Sequence, residues 1–267
     1  MQEDLIKVHK TSDAEMWQEW ATAWELMALS FRYPDEVLAG AVVSGEWADA
    51  ARELADALGF KLPEGFAEDT RAATGEDPQV LLHALRTEAT RLFVGAPDPA
   101  CSPYEGVWRA ADDGVQALLF VNPHSMDVER FCKSCGLGRP EGTNEPLDHA
   151  STECELMEHL ALRASALLSE GAETFEDAGA SGCAGDPETP EAAEAPETPE
   201  ALAAALPTPA DLPGGSPEAA YHTFFDEHIC TWMPRFAASV AEKSRHPFYR
   251  AAAMFLATYL SVCHRVS

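Results

Sequence analysis

Between Ala150 and Leu168, apolar residues (Ala150, Cys154, Met157, Leu160, Ala161, Ala164, Leu167 and Leu168) recur at spacings of three and four. That period lays them along one stripe of a helix and does not fit the two-residue alternation of a half-buried strand. The preceding stretch, Asn144-Glu145-Pro146-Leu147-Asp148-His149, carries the start signal. Pro146 disfavours helix in the residue before it, and the Asp148 carboxylate is placed to accept a hydrogen bond from the Ser151 N–H. A helix is therefore expected from Ala150 to about Ser169, with an acid and an imidazole, Asp148 and His149, at its exposed mouth.

The same period recurs along most of the chain. Trp17, Trp20, Ala21, Trp24, Met27, Ala28 and Phe31 predict a core helix over 15–31, which Tyr33-Pro34-Asp35 breaks. Two shorter helices are expected over 37–43 and 46–58. Asp77-Pro78, a capping acid followed by proline at the first helical position, starts another that runs to Gly95. Pro97, Pro99 and Pro103 then impose an extended loop from Ala96 to Tyr104, a rigid wall beside Val107 and Trp108. Further helical turns are expected over 113–120 and 125–137. A stripe from Phe225 to Val240 follows, interrupted by Pro234 and with His228 on its apolar side, and a broadly apolar last helix begins after His246-Pro247.

Isoleucine occurs only at Ile6 and Ile229, and Ala, Leu and Glu dominate, so the fold class is all-α: a helical bundle. With 267 residues, 46% of them apolar, the chain has material for one sizeable core or two small ones. The glycines and proline of 136–147 suggest a hinge between an N-terminal helical lobe, 1–135, and a C-terminal lobe made of 148–170 and 218–267. Residues 171–217 repeat Glu, Pro, Ala, Gly and Thr with no Lys or Arg, as in Pro187-Glu188-Thr189-Pro190, and read as a disordered acidic insertion.

The net charge of −27 argues against nucleic acid and anionic membranes as partners and favours a basic one. The first ten residues lack a signal-peptide apolar region and no later run is long enough to span a bilayer, so a cytoplasmic location without membrane insertion is expected. Seven cysteines, an odd number without a framework of spacings, fit reduced thiols.

Chemistry is sparse. Cys132-Lys133-Ser134-Cys135 has metal-ligand or redox spacing, but no second pair completes a zinc site and no strand precedes it. Cys132 and Cys135 therefore stand as weak metal candidates, and a metal- or redox-active helical protein using them is the alternative reading. His149 and His159 do not form an HExxH motif, and no phosphate-binding loop or serine nucleophile elbow is present. No catalytic residue and no resident cofactor is expected.

Several short pieces together resemble a known family: Glu145-Pro146-x-Asp148-His149, the helix bearing Glu155-Leu156-Met157, Arg91-Leu92-Phe93-Val94-Gly95, Pro103-Tyr104-Glu105-x-Val107-Trp108, His228-x-x-x-Trp232-x-Pro234-x-Phe236 and His246-Pro247-Phe248-Tyr249. Their order and spacing from about Trp20 to Cys263 are similar to those of the TorD/DmsD/NarJ-type redox enzyme maturation chaperones, most closely the TorD/DmsD branch. The resemblance implies an all-helical cytoplasmic chaperone without enzymatic activity. It implies that the protein binds the twin-arginine signal peptide and the apo form of a molybdopterin-dependent reductase of the DMSO reductase family. It also implies that the protein delays export and assists molybdenum cofactor insertion, as a monomer or a domain-swapped dimer. The positions matching the family's signal-peptide surface are Leu92, Phe93, Pro103, Tyr104, Trp108, Asp148 and His149.

A leader that joins two arginines to an apolar run needs a hydrophobic groove with anionic groups beside it. Burying a Leu- or Phe-sized side chain is worth about 1.5–3 kcal/mol and an exposed ion pair roughly 0.2–1 kcal/mol, so the apolar run is expected to dominate affinity. After about 2–5 kcal/mol for ordering the peptide, binding is expected at roughly micromolar or weaker.

Overall fold

A computed structural model describes residues 12–73, 77–115, 122–138, 146–176 and 206–266, and the described residues form an all-α bundle. Of the two expected caps, Asp77 acts as read, and the structure adds caps at Ser12 and Asp35 that were not anticipated. Ser12 and Glu15 cap α1 (Asp13–Phe31) reciprocally, and Asp35 caps α2 (Glu36–Ser44) by accepting from Leu38 N. Gly45, at φ +89°, turns the chain into α3 (Glu46–Ala57). Asp77 accepts from Gln79 N and Val80 N to start α5 (Pro78–Ala89), which passes directly into a π turn, Thr90–Val94.

Two helices carry no sequence-level prediction: α4 (Phe66–Ala73) and α6 (Glu105–Asp112). Both are eight residues long, too short for a period to show against neighbouring loops. The chain continues through α7 (Pro123–Ser134) and α8 (Ala150–Glu176) to α9 (Pro217–Phe224). A second π turn (Phe225–Ile229), α10 (Cys230–Lys243) and α11 (Pro247–Val266) complete it. Of the expected helix over 113–120, residues 113–115 are turn or bend, and 116–120 lie outside the described residues, as do 139–145 of the expected hinge.

The edges of the expected insertion differ from the compositional boundaries at 171 and 217. α8 continues to Glu176, and residues 206–216 fold back in two 3-10 turns, Pro209–Asp211 and Pro213–Gly215, before Ser216 caps α9. This return is anchored: Arg163 Nη2 donates to Pro207 O at 2.6 Å, and Leu212 is buried. Residues 177–205 lie outside the described residues.

The core is one apolar cluster to which helices of both expected lobes contribute. α1 and α8 are its most extensively packed pair. They run antiparallel: Ser165 Oγ donates to Ala14 O at 2.9 Å near one end, while Phe31 and Ser151 line the same cleft at the other. The tryptophan stripe of α1 faces inward, and the indole N–H groups of Trp24 on α1 and Trp47 on α3 find acceptors. Trp24 Nε1 donates to the Tyr221 hydroxyl, and Trp47 Nε1 to Ser30 Oγ, each at 2.9 Å.

Candidate functional site

The site is assembled where α5 ends, because the chain there departs from α-helical geometry. Within the π turn Leu92 is fully buried, Phe93 nearly so, and Val94 is 62% exposed. Gly95 follows at φ +37°, and a Cβ on it would lie 2.5 Å from Asp98 O and 2.6 Å from Pro99 Cα. Only glycine lets the proline-rich loop fold back this tightly. Cys101 N then donates to Leu92 O at 2.7 Å, so the loop is stitched onto the turn it has just left.

The π turn is itself tied to the α10–α11 junction. Arg91 donates through Nε and Nη2 to the Glu88 carboxylate at 2.8 and 2.7 Å, and through Nη2 to Lys243 O at 2.7 Å. Glu88 also accepts from Arg245 N and Ser244 Oγ. Burial pushes against ionisation of Glu88, yet Arg91 and these donors hold its carboxyl below the ordinary range.

From Pro103 the chain meets the segment before α8 in a single antiparallel bridge. Ala150 N donates to Pro103 O at 2.8 Å and Glu105 N donates to Asp148 O at 3.0 Å, which sets Tyr104 opposite His149. Flanked by bonds but not bonded to each other, the two residues bring their rings edge to face with centroids 5.2 Å apart. The side-chain roles differ from the sequence expectation. Asp148 is 1% exposed and does not cap α8; its Oδ2 accepts from Gly106 N at 2.9 Å and from Ser125 Oγ at 2.6 Å, capping α6 across 42 residues. The α8 N-terminus is served by His149, whose Nδ1 accepts from Ser151 N at 3.2 Å. Burial pushes the His149 imidazole down to about 4, so it is neutral at pH 7 and makes no ion pair with Asp148.

Gly106 shows how tight this junction is: a Cβ there would lie 2.9 Å from Asp148 Oδ2 and collide with Ser125 Oγ. Behind it lies a buried polar cluster. Glu105 is fully buried, with Oε1 accepting from Arg109 Nη1 at 3.0 Å and Oε2 lying 3.0 Å from His228 Nδ1. Glu153, also fully buried, accepts from Trp232 Nε1 at 2.9 Å. Burial, reinforced by Glu105, pushes the Glu153 carboxyl well up, and burial raises Asp148 despite its two donors. Acids, imidazole and indole far apart in the sequence thus join α6, α8, the second π turn and α10 from the inside.

In front of this frame lies an apolar groove in two parts that share Phe93, Val94 and Tyr104. The smaller cleft, about 150 Å³, is closed by Phe31, Tyr33, Pro103 and His149. The larger, about 540 Å³, is walled by the proline-rich loop together with Val107 and Trp108. Trp108 is held by donation from Nε1 to Ser102 O at 2.9 Å, with the Arg235 guanidinium 5.6 Å from its ring centroid. Of the sequence-predicted residues, the structure gathers Phe93, Pro103, Tyr104, Trp108 and His149 around this groove. Leu92 and Asp148 lie behind it, one in the core and one in the polar frame. Tyr33 and Val94, 60% and 62% exposed, complete the rim. Neither was predicted: Tyr33 reads as a helix breaker, and Val94 as one more apolar residue on a helix.

Cys132 and Cys135, the weak metal candidates, are buried in the core, and burial raises both thiols, to about 12 and about 11. Among the described residues no group of three or more His, Cys, Asp or Glu side chains is arranged to hold a metal ion. None of the described helices is long and apolar enough to cross a membrane.

Comparison with known proteins adds a family to this geometry. The family model described as nitrate reductase delta subunit matches residues 43–181, which include Phe93, Pro103, Tyr104, Trp108 and His149 of the groove but not Phe31 or Tyr33. A crystal structure assigned as a redox enzyme maturation protein from Archaeoglobus fulgidus aligns at 21% identity over 90% of this chain and 93% of that one, with a TM-score of 0.43. No curated protein sequence gives a match.

Proposed function

Because this chain belongs to the nitrate reductase delta subunit family, that of the NarJ/TorD-type maturation chaperones, we propose that its groove receives the apolar run of a twin-arginine leader. The leader is that of the catalytic subunit of a molybdopterin-dependent reductase of the DMSO reductase family. Holding the leader in the cytoplasm delays export and keeps the apo subunit open to insertion of its molybdenum cofactor. The chaperone supplies binding and no bond-making chemistry.

The observation that carries this reading is the groove itself: apolar, bounded by Phe93, Tyr104 and Trp108, and backed by a frame of buried hydrogen bonds that sets its width before any ligand arrives. A pre-formed apolar cleft spends little of its binding energy on ordering the receptor. Three or four buried leader side chains at about 1.5–3 kcal/mol each, less about 2–5 kcal/mol for ordering the peptide, centre on roughly 4 kcal/mol, on the weak side of micromolar affinity.

Calorimetric titration with a synthetic leader tests the proposal, beside one copy with a polar apolar-run replacement and one with both arginines changed to lysine. Loss of binding with the polar copy and a smaller reduction with the lysine copy is expected. Equal binding of the polar copy would overturn the assignment of the groove.

A further inference from the structure

The two ends of the groove differ in charge, and the difference gives a bound leader a direction. Ser151 lines the smaller cleft at the start of α8. Glu155 and Glu158 follow it at i+4 and i+7, on the same helical face and about one and two turns further along. Across from them, antiparallel α1 presents Glu25, seven residues before Arg32, which lines that same cleft. Burial, reinforced by repulsion from Glu25 and Glu155, raises the Glu158 carboxyl to about 7. Three acids therefore crowd a ridge between two helices, immediately beyond one mouth of an apolar groove. Of the cations at this mouth, Arg32 pairs with Asp35 at 2.6 Å and also attracts the Glu155 charge, and Arg86 lies over the Tyr33 ring while donating to Pro34 O.

The other mouth, beyond Trp108, is closer to balance. Arg235 is paired in bidentate fashion with Asp112 at 2.7 Å. Lys243 donates to Ala100 O at 2.9 Å, with Glu242 and Asp98 nearby. A cation-bearing segment gains by lying along the ridge and gains nothing comparable at the Trp108 end.

We infer that the leader binds in one polarity, with its arginines on the ridge formed by Glu25, Glu155 and Glu158 and its apolar run extending past Tyr104 into the Trp108 cleft. The inference rests on the groove being the leader site and adds the direction. The N-terminal end of the bound segment lies along α1 and α8, and the C-terminal end reaches α6 and α10.

Two measurements on the full chain test it. In the first, synthetic leaders carry a benzophenone amino acid either beside the arginines or at the end of the apolar run, and crosslinks are mapped by mass spectrometry. Crosslinks from the arginine end to α1 and α8, and from the other end to α6 and α10, are expected; the reverse pattern, or both ends reaching both mouths, overturns the direction while leaving the groove as the binding site. Absence of saturable binding would instead remove the groove assignment, and this inference with it. In the second, Glu155→Gln with Glu158→Gln is titrated against the leader and against a copy with its arginines changed to glutamine. Two partly exposed ion pairs amount to about a 5-fold loss of affinity for the arginine leader. The glutamine copy should lose less than about 2-fold on the same scale, and equal losses for both leaders would overturn the ridge.

Discussion

Replacing Asp148 with alanine removes the acceptor that starts α6. In the folded protein its Oδ2 accepts from Gly106 N and Ser125 Oγ, and both donors lose that acceptor at a site the protein closes to solvent. A buried donor without a partner costs about 1–3 kcal/mol. The Ser125 hydroxyl can rotate away from part of that cost, and removing a carboxylate whose ionisation is opposed by burial and by Glu105 returns part of it. A net loss of about 2–3 kcal/mol is expected at pH 7. Asp148→Asn keeps an acceptor for Gly106 N and Ser125 Oγ and removes the charge, at the cost of an amide NH2 where Oδ1 has no partner, so it is expected to cost less than alanine, about 1 kcal/mol. Urea unfolding followed by tryptophan fluorescence measures both; with a slope of about 3 kcal/mol/M, the alanine midpoint falls by roughly 1 M. The pH dependence follows from the raised folded-state pKa. The protonated form contributes stability that is present below the unfolded-state pKa and is lost as pH rises through the folded-state value, so the balance shifts toward asparagine with rising pH. An alanine variant that loses less than about 0.5 kcal/mol, or an asparagine variant as damaged as alanine, would refute the capping role. A fully folded alanine variant with leader affinity reduced more than about tenfold, a loss of about 1.4 kcal/mol, would place the carboxylate against the ligand instead.

Other substitutions separate frame from groove. Glu153→Gln retains an acceptor for Trp232 Nε1 and removes a carboxyl whose pKa is pushed up, so the wild-type decline in stability as pH rises through that pKa should flatten in a pH series of thermal melts. Gly106→Ala drives a methyl into Ser125 and the Asp148 carboxylate and should cost about 1–3 kcal/mol in urea unfolding. Trp108→Ala, at a half-buried wall position, should weaken leader binding by about 10- to 100-fold in calorimetry while changing stability by no more than about 1 kcal/mol. Cys132 and Cys135 should resist alkylation at pH 8 until the protein unfolds, since burial raises both thiols, to about 12 and about 11.

The sequence alone determined the helices whose signals are local and repeated. The stripes of α1, α5, α8 and α11 and the cap at Asp77 each lie within a few residues of the backbone they direct, so they survive any arrangement of the rest. Of the residues the family resemblance pointed to, Phe93, Pro103, Tyr104, Trp108 and His149 lie around one groove, while Leu92 and Asp148 lie behind it. Periodicity does not tell which way a motif residue faces. Asp148 looks like a local cap for α8, yet α6 presents the Gly106 N–H to the same carboxylate and Asp148 takes that partner, leaving His149 to cap α8. A donor 42 residues away leaves no trace in local spacing. For the same reason Glu105, His228 and Trp232 are recognisable as motif pieces, and Glu153 as a residue of the expected helix, but not as one buried cluster. The groove was decided last, at the tertiary level. Its walls are whatever Phe93, Tyr104 and Trp108 leave uncovered once the π turn, the stitched loop and the Tyr104–His149 bridge have fixed their positions, and each of those depends on contacts between distant segments.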